Sequence, residues 1–182
     1  MSLAVCLIAP VARADGPAPV IRYEVRLPIS EFRAGGARTT VAAPHSTVHT
    51  LVTDYAHYSD FVKAFEASKV VGRDGTKTDV YLRVKILKGA AKIWAVVRFE
   101  PAVIEGDSET VNAHMVKGNV KRLDAIWHLH RVDDAHTQLA LELLIVPDLP
   151  VPEALVVPEV RDAAATAVTG VRDESEKRVT AK

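Results

Sequence analysis

The stretch that decides the fold is VPEALVVPEVRDAAATAVTGVRDESEKR, residues 151–178. Pro152 suits the first turn of a helix, whereas Pro158 removes a backbone hydrogen bond and predicts a kink or a restart there. Apolar residues recur every three or four positions, as on one face of an amphipathic helix: Val156, Val160, Ala163, Ala164, Ala167 and Val171. The sequence therefore predicts one long C-terminal helix.

Alanine occupies the middle of this apolar face, where a packing helix usually carries leucine. The residues concerned are Ala163, Ala164, Ala165 and Ala167. A sheet facing them would be held off by its own bulky side chains, which predicts a cleft or cavity. The alternative is close packing of helix on sheet without a cavity, which alanine also permits.

Upstream of the helix, the apolar period changes from about 3.6 to about 2 residues at Lys69. Short connections that carry Gly, Asp or Asn separate the alternating segments, so they predict an antiparallel meander. The late segments carry the clearest inner face, with Leu123, Ala125, Trp127 and Leu129 on one strand and Leu139, Leu141, Leu143 and Ile145 on the next.

Before the meander, Gly35-Gly36 predicts a turn, Arg38–Ala43 predicts a strand, and the residues after it predict two short helices that meet at Asp54. We therefore expect an α+β fold, in which a curved antiparallel sheet of about six to seven strands wraps around the long C-terminal helix.

The first residues differ from the rest of the chain. Met1–Ala14 resembles a secretory signal peptide, since an apolar run leads to the small-x-small site Ala12-Arg13-Ala14, although a basic n-region is missing. A periplasmic or secreted location is the expectation, and a cytoplasmic one is the alternative. Residues 15–37 are then an N-terminal extension with an accessory strand, and residues 38–178 are the folded domain.

The charge balance excludes several classes of function. Lys and Arg together number 23, as do Asp and Glu, so the net charge is zero. Nothing in that balance favours nucleic acid or an anionic membrane surface as a partner. After the N-terminal segment no uncharged apolar run reaches about 18 residues, so no transmembrane segment is predicted. The composition does not fix the oligomeric state.

Catalytic and metal-binding patterns are weak in this sequence. His128 and His130 share one strand face, and His45 and His49 lie one helical turn apart; either pair could chelate a metal, but solvent-exposed faces are the simpler interpretation. Asp54 could act as a base or cap the helix that follows it. Nucleophile-elbow, zinc-protease, Walker and dinucleotide motifs are missing, so we predict no catalytic residue, cofactor or metal.

Two groups of motifs carry a family resemblance. Ala43-Pro44-x-x-x-Val48 leads into Leu51-Val52-Thr53-Asp54-Tyr55-x-x-Tyr58-x-x-Phe61, and the late strands read Gly118-Asn119-Val120-Lys121-Arg122-Leu123-x-Ala125-x-Trp127 and Thr137-x-Leu139-x-Leu141-x-Leu143. They resemble the START-like (SRPBCC) helix-grip superfamily, specifically its polyketide cyclase/dehydrase and coenzyme-Q-binding branch. The resemblance implies a deep apolar cavity that holds lipids, isoprenoid quinones or polycyclic aromatic compounds. It fixes no activity, because members transport, sequester or cyclise with one scaffold.

The predicted function is binding or transport of a hydrophobic small molecule between sheet and helix. An aromatase/cyclase-type enzyme is one alternative, which needs a polar group at the cavity end, such as Arg131. A ligand-free interaction domain is the other. The expected cavity-lining residues are Trp127, Leu129, Leu141, Leu143, Val160, Ala164, Ala167, Tyr81 and Tyr58. Trp94 is a further possibility, because the inner face of its strand is either that of Trp94 and Val96 or that of Ile93, Ala95, Val97 and Phe99.

Overall fold

The computed structural model describes residues 16–28, 30–86 and 91–181. The predicted signal peptide, residues 1–14, lies outside the described residues, so its cleavage and the export of the protein stay predictions. None of the described helices combines the length and the hydrophobicity that crossing a bilayer requires.

The described chain forms nine strands and three helices. The strands are β1 (Ile21–Val25), β2 (Ala34–Val41), β3 (Phe65–Asp74), β4 (Lys77–Ile86), β5 (Ala91–Phe99), β6 (Val103–Glu105), β7 (Ser108–Gly118), β8 (Arg122–Arg131) and β9 (Thr137–Val146). The helices are α1 (His45–Val52), α2 (Tyr58–Phe61) and α3 (Glu153–Thr180).

All the strands belong to one antiparallel sheet in the order β1-β2-β9-β8-β7-β5-β4-β3, and β6 pairs with the start of β7. The α+β fold with two short helices and a long C-terminal helix is confirmed. The sheet has more strands than the six to seven expected, partly because β6, with three residues, is too short to show an alternating pattern.

Helix α3 is a single helix of 28 residues that continues through Pro158. It packs on β2 and β9 and also contacts β1 and α1. A restart at Pro158 does not occur. Pro158 is the sixth residue of the helix and cannot donate the backbone hydrogen bond to the carbonyl of Ala154, but the helix continues without this bond.

Strand β2 begins at Ala34, whereas the sequence predicted a turn at Gly35-Gly36 and a strand only from Arg38. A side chain at Gly35 would lie 2.4 Å from the backbone nitrogen of Arg161 in α3, and one at Gly36 would lie 2.4 Å from the ring of Tyr23. These glycines are needed for close approach, not for a turn. They let α3 and the Tyr23 ring lie directly on the two faces of the strand.

Candidate functional site

An apolar cavity of about 90 Å³ lies between α3 and the inner face of the sheet. Alternate residues of β4, β5, β8 and β9 form its wall, because successive strand residues point to opposite faces. Ala163, Ala167 and Val171 of α3 face it at helical spacing. The other lining residues are Tyr58, Val62, Ala64, Phe65, Leu82, Val84, Ile86, Ile93, Ala95, Val97, Phe99, Leu123, Ala125, Trp127, Leu141, Leu143 and Ile145.

The cavity exists because α3 approaches only one side of the sheet. Gly35 admits the helix backbone at Val160 and Arg161 against β2, and Ala164 is fully buried one turn farther along α3. Farther along the sheet, β4 and β5 face α3 across the cavity. Close packing and a cavity are therefore both present on the sheet-facing side of the same alanine-rich helix.

The described wall contains two polar side-chain groups, the Tyr58 hydroxyl and the Trp127 indole. The Tyr58 hydroxyl donates a hydrogen bond to the backbone carbonyl of Val52. Burial raises the pKa of Tyr58 well above its usual value, so the phenol stays neutral. Among the described residues the wall therefore offers an apolar surface and no free charged group.

Five of the residues expected from the sequence border this cavity: Trp127, Leu141, Leu143, Ala167 and Tyr58. Leu129 and Ala164 lie instead in the close-packed core. Val160 packs with Ile93 and Ile145 in a smaller cluster. Their role in ligand binding stays a prediction.

Tyr81 and Trp94 do not line the cavity, because both belong to the outer face of the sheet. Leu82 and Ala95 point inward, so Tyr81 and Trp94, which alternate with them, point outward and stack at 6.4 Å between ring centroids. The sequence also left the inner face of β5 undecided. The register pairing Leu82 with Ala95 decides it, and no single segment carries that information.

Arg131, the polar residue that the enzyme alternative requires, is half exposed and pairs with Asp134 at 2.9 Å. It does not border the cavity. Asp54 does not cap α2, since its carboxylate lies 2.6 Å from Nδ1 of His57 instead. Neither residue is placed for chemistry on a molecule in the cavity.

A buried carboxylate that the sequence did not reveal lies outside the cavity. Glu109 of β7 is 1 % exposed and faces α1, with Oε1 2.6 Å from His49 Nδ1 and Oε2 3.4 Å from His45 Nε2. The side chains of His45 and His49 are 24 % and 40 % exposed, so the expectation of a solvent-exposed face holds only in part. Glu109 also acts on Tyr55, whose pKa is raised to about 12 by burial and then by this carboxylate.

The histidine pairs do not complete a metal site. In the parts of the chain that the structure describes, no group of three or more His, Cys, Asp and Glu residues is arranged to hold a metal ion. His130 on the outer face of β8 is bonded to Ser108 Oγ at 3.0 Å. His45 and His49 instead give the buried Glu109 its partners.

The family model for polyketide cyclase / dehydrase and lipid transport matches residues 41–172. The chain therefore belongs to this family. A search of curated proteins by sequence finds no match.

Solved structures share the fold at low sequence identity. The STAR-related lipid transfer protein from Xanthomonas axonopodis is 17 % identical with a TM-score of 0.72, and 90 % of this chain and 96 % of that chain are covered. Zhui aromatase/cyclase from Streptomyces sp. R1128 is 16 % identical with a TM-score of 0.65, covering 89 % and 96 %. The lipid transfer and protein localization domain of human StarD13 is 17 % identical with a TM-score of 0.69, covering 91 % and 87 %. At these identities the likeness establishes the helix-grip fold and nothing finer.

Proposed function

We propose that the protein binds a hydrophobic small molecule in the cavity under α3 and carries it without transforming it. The observation that carries this proposal is the composition of the wall, which is apolar apart from the Tyr58 hydroxyl, already bonded to the Val52 carbonyl, and the Trp127 indole. Apolar walls with few polar groups are typical of sites for lipids and other hydrophobic ligands. The family description and the lipid transfer protein of similar fold agree with this class of ligand.

The cavity volume indicates a closed state. About 90 Å³ is less than the roughly 150 Å³ of an engineered cavity that accepts benzene, and less than the roughly 300 Å³ at which ligand pockets usually begin. A lipid or polycyclic ligand therefore requires the cavity to widen.

An enzyme that folds and cyclises a poly-ketone would need a polar group to polarise carbonyls. Within the described wall, the hydroxyl of Tyr58 already donates to the Val52 carbonyl, and the other polar side-chain group is the neutral indole of Trp127. Arg131, half exposed, lies outside the wall. These placements favour a carrier over a cyclase.

The first test is native mass spectrometry of protein purified from its own source, followed by organic extraction and identification of the bound molecule. A stoichiometric apolar compound is expected. The Trp94→Phe variant retains Trp127 as its one tryptophan, so energy transfer from Trp127 to an apolar fluorescent probe then reports occupancy of the cavity.

The matched variants are Ala167→Leu, which fills the cavity, and Ala154→Leu, which makes the same change at an exposed position of α3. Ala167→Leu should abolish probe uptake and Ala154→Leu should preserve it. Uptake by both variants alike, or a protein that neither carries a ligand nor takes up the probe, would overturn the proposal. Conversion of the extracted compound by the purified protein would show that the protein is an enzyme and not a carrier.

A further inference from the structure

Positive charge is concentrated on the outer face of β3, β4 and β5, although the whole chain is neutral. Lys69, Arg83, Lys85 and Lys92 occupy outward positions there, because their neighbours Leu82, Val84 and Ile93 point into the cavity. The side chains of Arg83, Lys85 and Lys92 are 46 %, 51 % and 54 % exposed. We call these four cations the basic face.

The carboxylate of Glu66 lies among three cations of the basic face. Glu66 Oε1 lies 3.0 Å from Lys92 Nζ and 3.3 Å from Lys85 Nζ, and Oε2 lies 3.0 Å from Arg83 Nε. Lys92 and then Lys85 hold the pKa of Glu66 below its usual value, despite partial desolvation, so it remains ionised. Three cations around one anion leave two positive charges in excess, and Lys69 adds a third.

Nearby acidic residues do not cancel this excess. Asp79 shares the outer face of β4, but both of its carboxylate oxygens accept hydrogen bonds from Arg98, at 2.7 and 2.8 Å. Asp74 also pairs with Arg98, at 3.4 Å. The two acids exceed Arg98 by one negative charge, which lowers the excess on the basic face from three positive charges to two.

An aromatic pair lies among the cations. The rings of Tyr81 and Trp94 stack at 6.4 Å, and both residues are partly exposed. Lys69 lies opposite Tyr81 in the strand register, and Arg83 lies opposite Trp94. Tyrosine and tryptophan favour the headgroup level of a bilayer, where an apolar ring and a polar tip are both accommodated.

We propose that the basic face docks on a membrane surface that contains anionic phospholipids. Lysine and arginine supply attraction to the headgroups, and the aromatic pair supplies partial insertion, which an acidic protein partner would not require. The strands that carry the basic face outside also form the cavity wall inside, so docking places the cavity beside the bilayer. The proposal does not depend on which molecule the cavity holds.

The neutral net charge indicated no such surface. The fold changes that conclusion because alternation along β4 and β5 sorts cations to one side and apolar residues to the other. Charge summed over a sequence carries no information on this separation.

The experiment is co-sedimentation of the full chain with phosphatidylcholine vesicles that contain or lack phosphatidylglycerol. Binding is expected only to the anionic vesicles, and it should disappear at about 1 M salt, where the screening length falls to about 3 Å. Lys85→Gln/Lys92→Gln should weaken binding about tenfold or more, since each cation near an anionic surface contributes severalfold. Lys121→Gln/Lys177→Gln makes the same change in net charge elsewhere and should bind as the wild type does.

Tryptophan emission gives a second measurement. The blue shift on anionic vesicles should be lost in Trp94→Phe, because Trp127 is buried in the cavity wall. Equal binding to neutral vesicles, or equal losses in the two double variants, would overturn the proposal. Retention on immobilised polyglutamate without binding to anionic vesicles would also overturn it and assign the basic face to an acidic protein.

Discussion

The Tyr58 hydroxyl donates a hydrogen bond to the backbone carbonyl of Val52 beside the cavity. This bond links α2 to the end of α1. It gives a partner to a buried hydroxyl that would otherwise face an apolar space, where an unsatisfied polar group is costly.

Removing the hydroxyl should therefore destabilise the fold without changing the polarity of the cavity. Tyr58→Phe leaves the Val52 carbonyl without that partner, and should lower the free energy of unfolding by about 1–3 kcal/mol. Urea denaturation measures the change. Tyr81→Phe on the outer face is the control and should stay within about 0.5 kcal/mol of the wild type. Equal stabilities would show that this hydrogen bond contributes little.

The close approach of the α3 backbone to Gly35 leads to a second prediction. Gly35→Ala places a methyl group 2.4 Å from the Arg161 backbone nitrogen, so α3 must shift. Overpacking of this kind costs about 1–3 kcal/mol, measurable as a lower thermal midpoint. Gly72→Ala in β3 is the matched control, because its methyl group meets Asp79 at an ordinary 3.6 Å. A Gly35→Ala protein as stable as Gly72→Ala would contradict the tight contact.

The sequence predicted the features that depend on local pattern, and it did not predict the contacts of Gly35 and Gly36. The period of the late strands and of α3 predicted the sheet, the long helix and the face of Trp127, since those signals are local. Gly35-Gly36 looked like a turn because a glycine pair carries the same signal whether it bends the chain or admits a neighbour. The neighbours of this pair, Arg161 and Tyr23, are set by pairings distant in sequence.

The contacts of Glu109 could not be predicted from the sequence either, and they lead to a third prediction. Its position in β7 gives no sign that two histidines of α1 will face it. His49→Ala removes the partner at 2.6 Å and leaves a buried carboxylate without a hydrogen bond, so it should cost about 1–3 kcal/mol in urea unfolding. His130→Ala on the outer face, where the ring meets only Ser108 Oγ, should cost less than about 0.5 kcal/mol. The reverse order would mean that Glu109 is satisfied in another way.

The raised pKa values of Tyr23 and Tyr55 predict how the free energy of unfolding declines at alkaline pH. Burial, and then the charge and hydrogen bond of Glu142, raise the pKa of Tyr23 to about 12. Tyr55 also reaches about 12, through burial and the charge of Glu109. An unfolded tyrosine ionises near pH 10, so each of these groups favours folding fully below about pH 10. That contribution is lost as the pH rises towards 12.

The Tyr23→Phe variant isolates one of these contributions. Its free energy of unfolding should fall less steeply than that of the wild type between about pH 10 and 12, because the phenylalanine has no proton to lose. Urea unfolding across this range measures the slope, and absorbance at alkaline pH follows phenol ionisation directly. Parallel slopes would place Tyr23 in water, with an ordinary pKa. A shallower slope in the variant would confirm that the Tyr23 ring is held over Gly36 with its hydroxyl on Glu142.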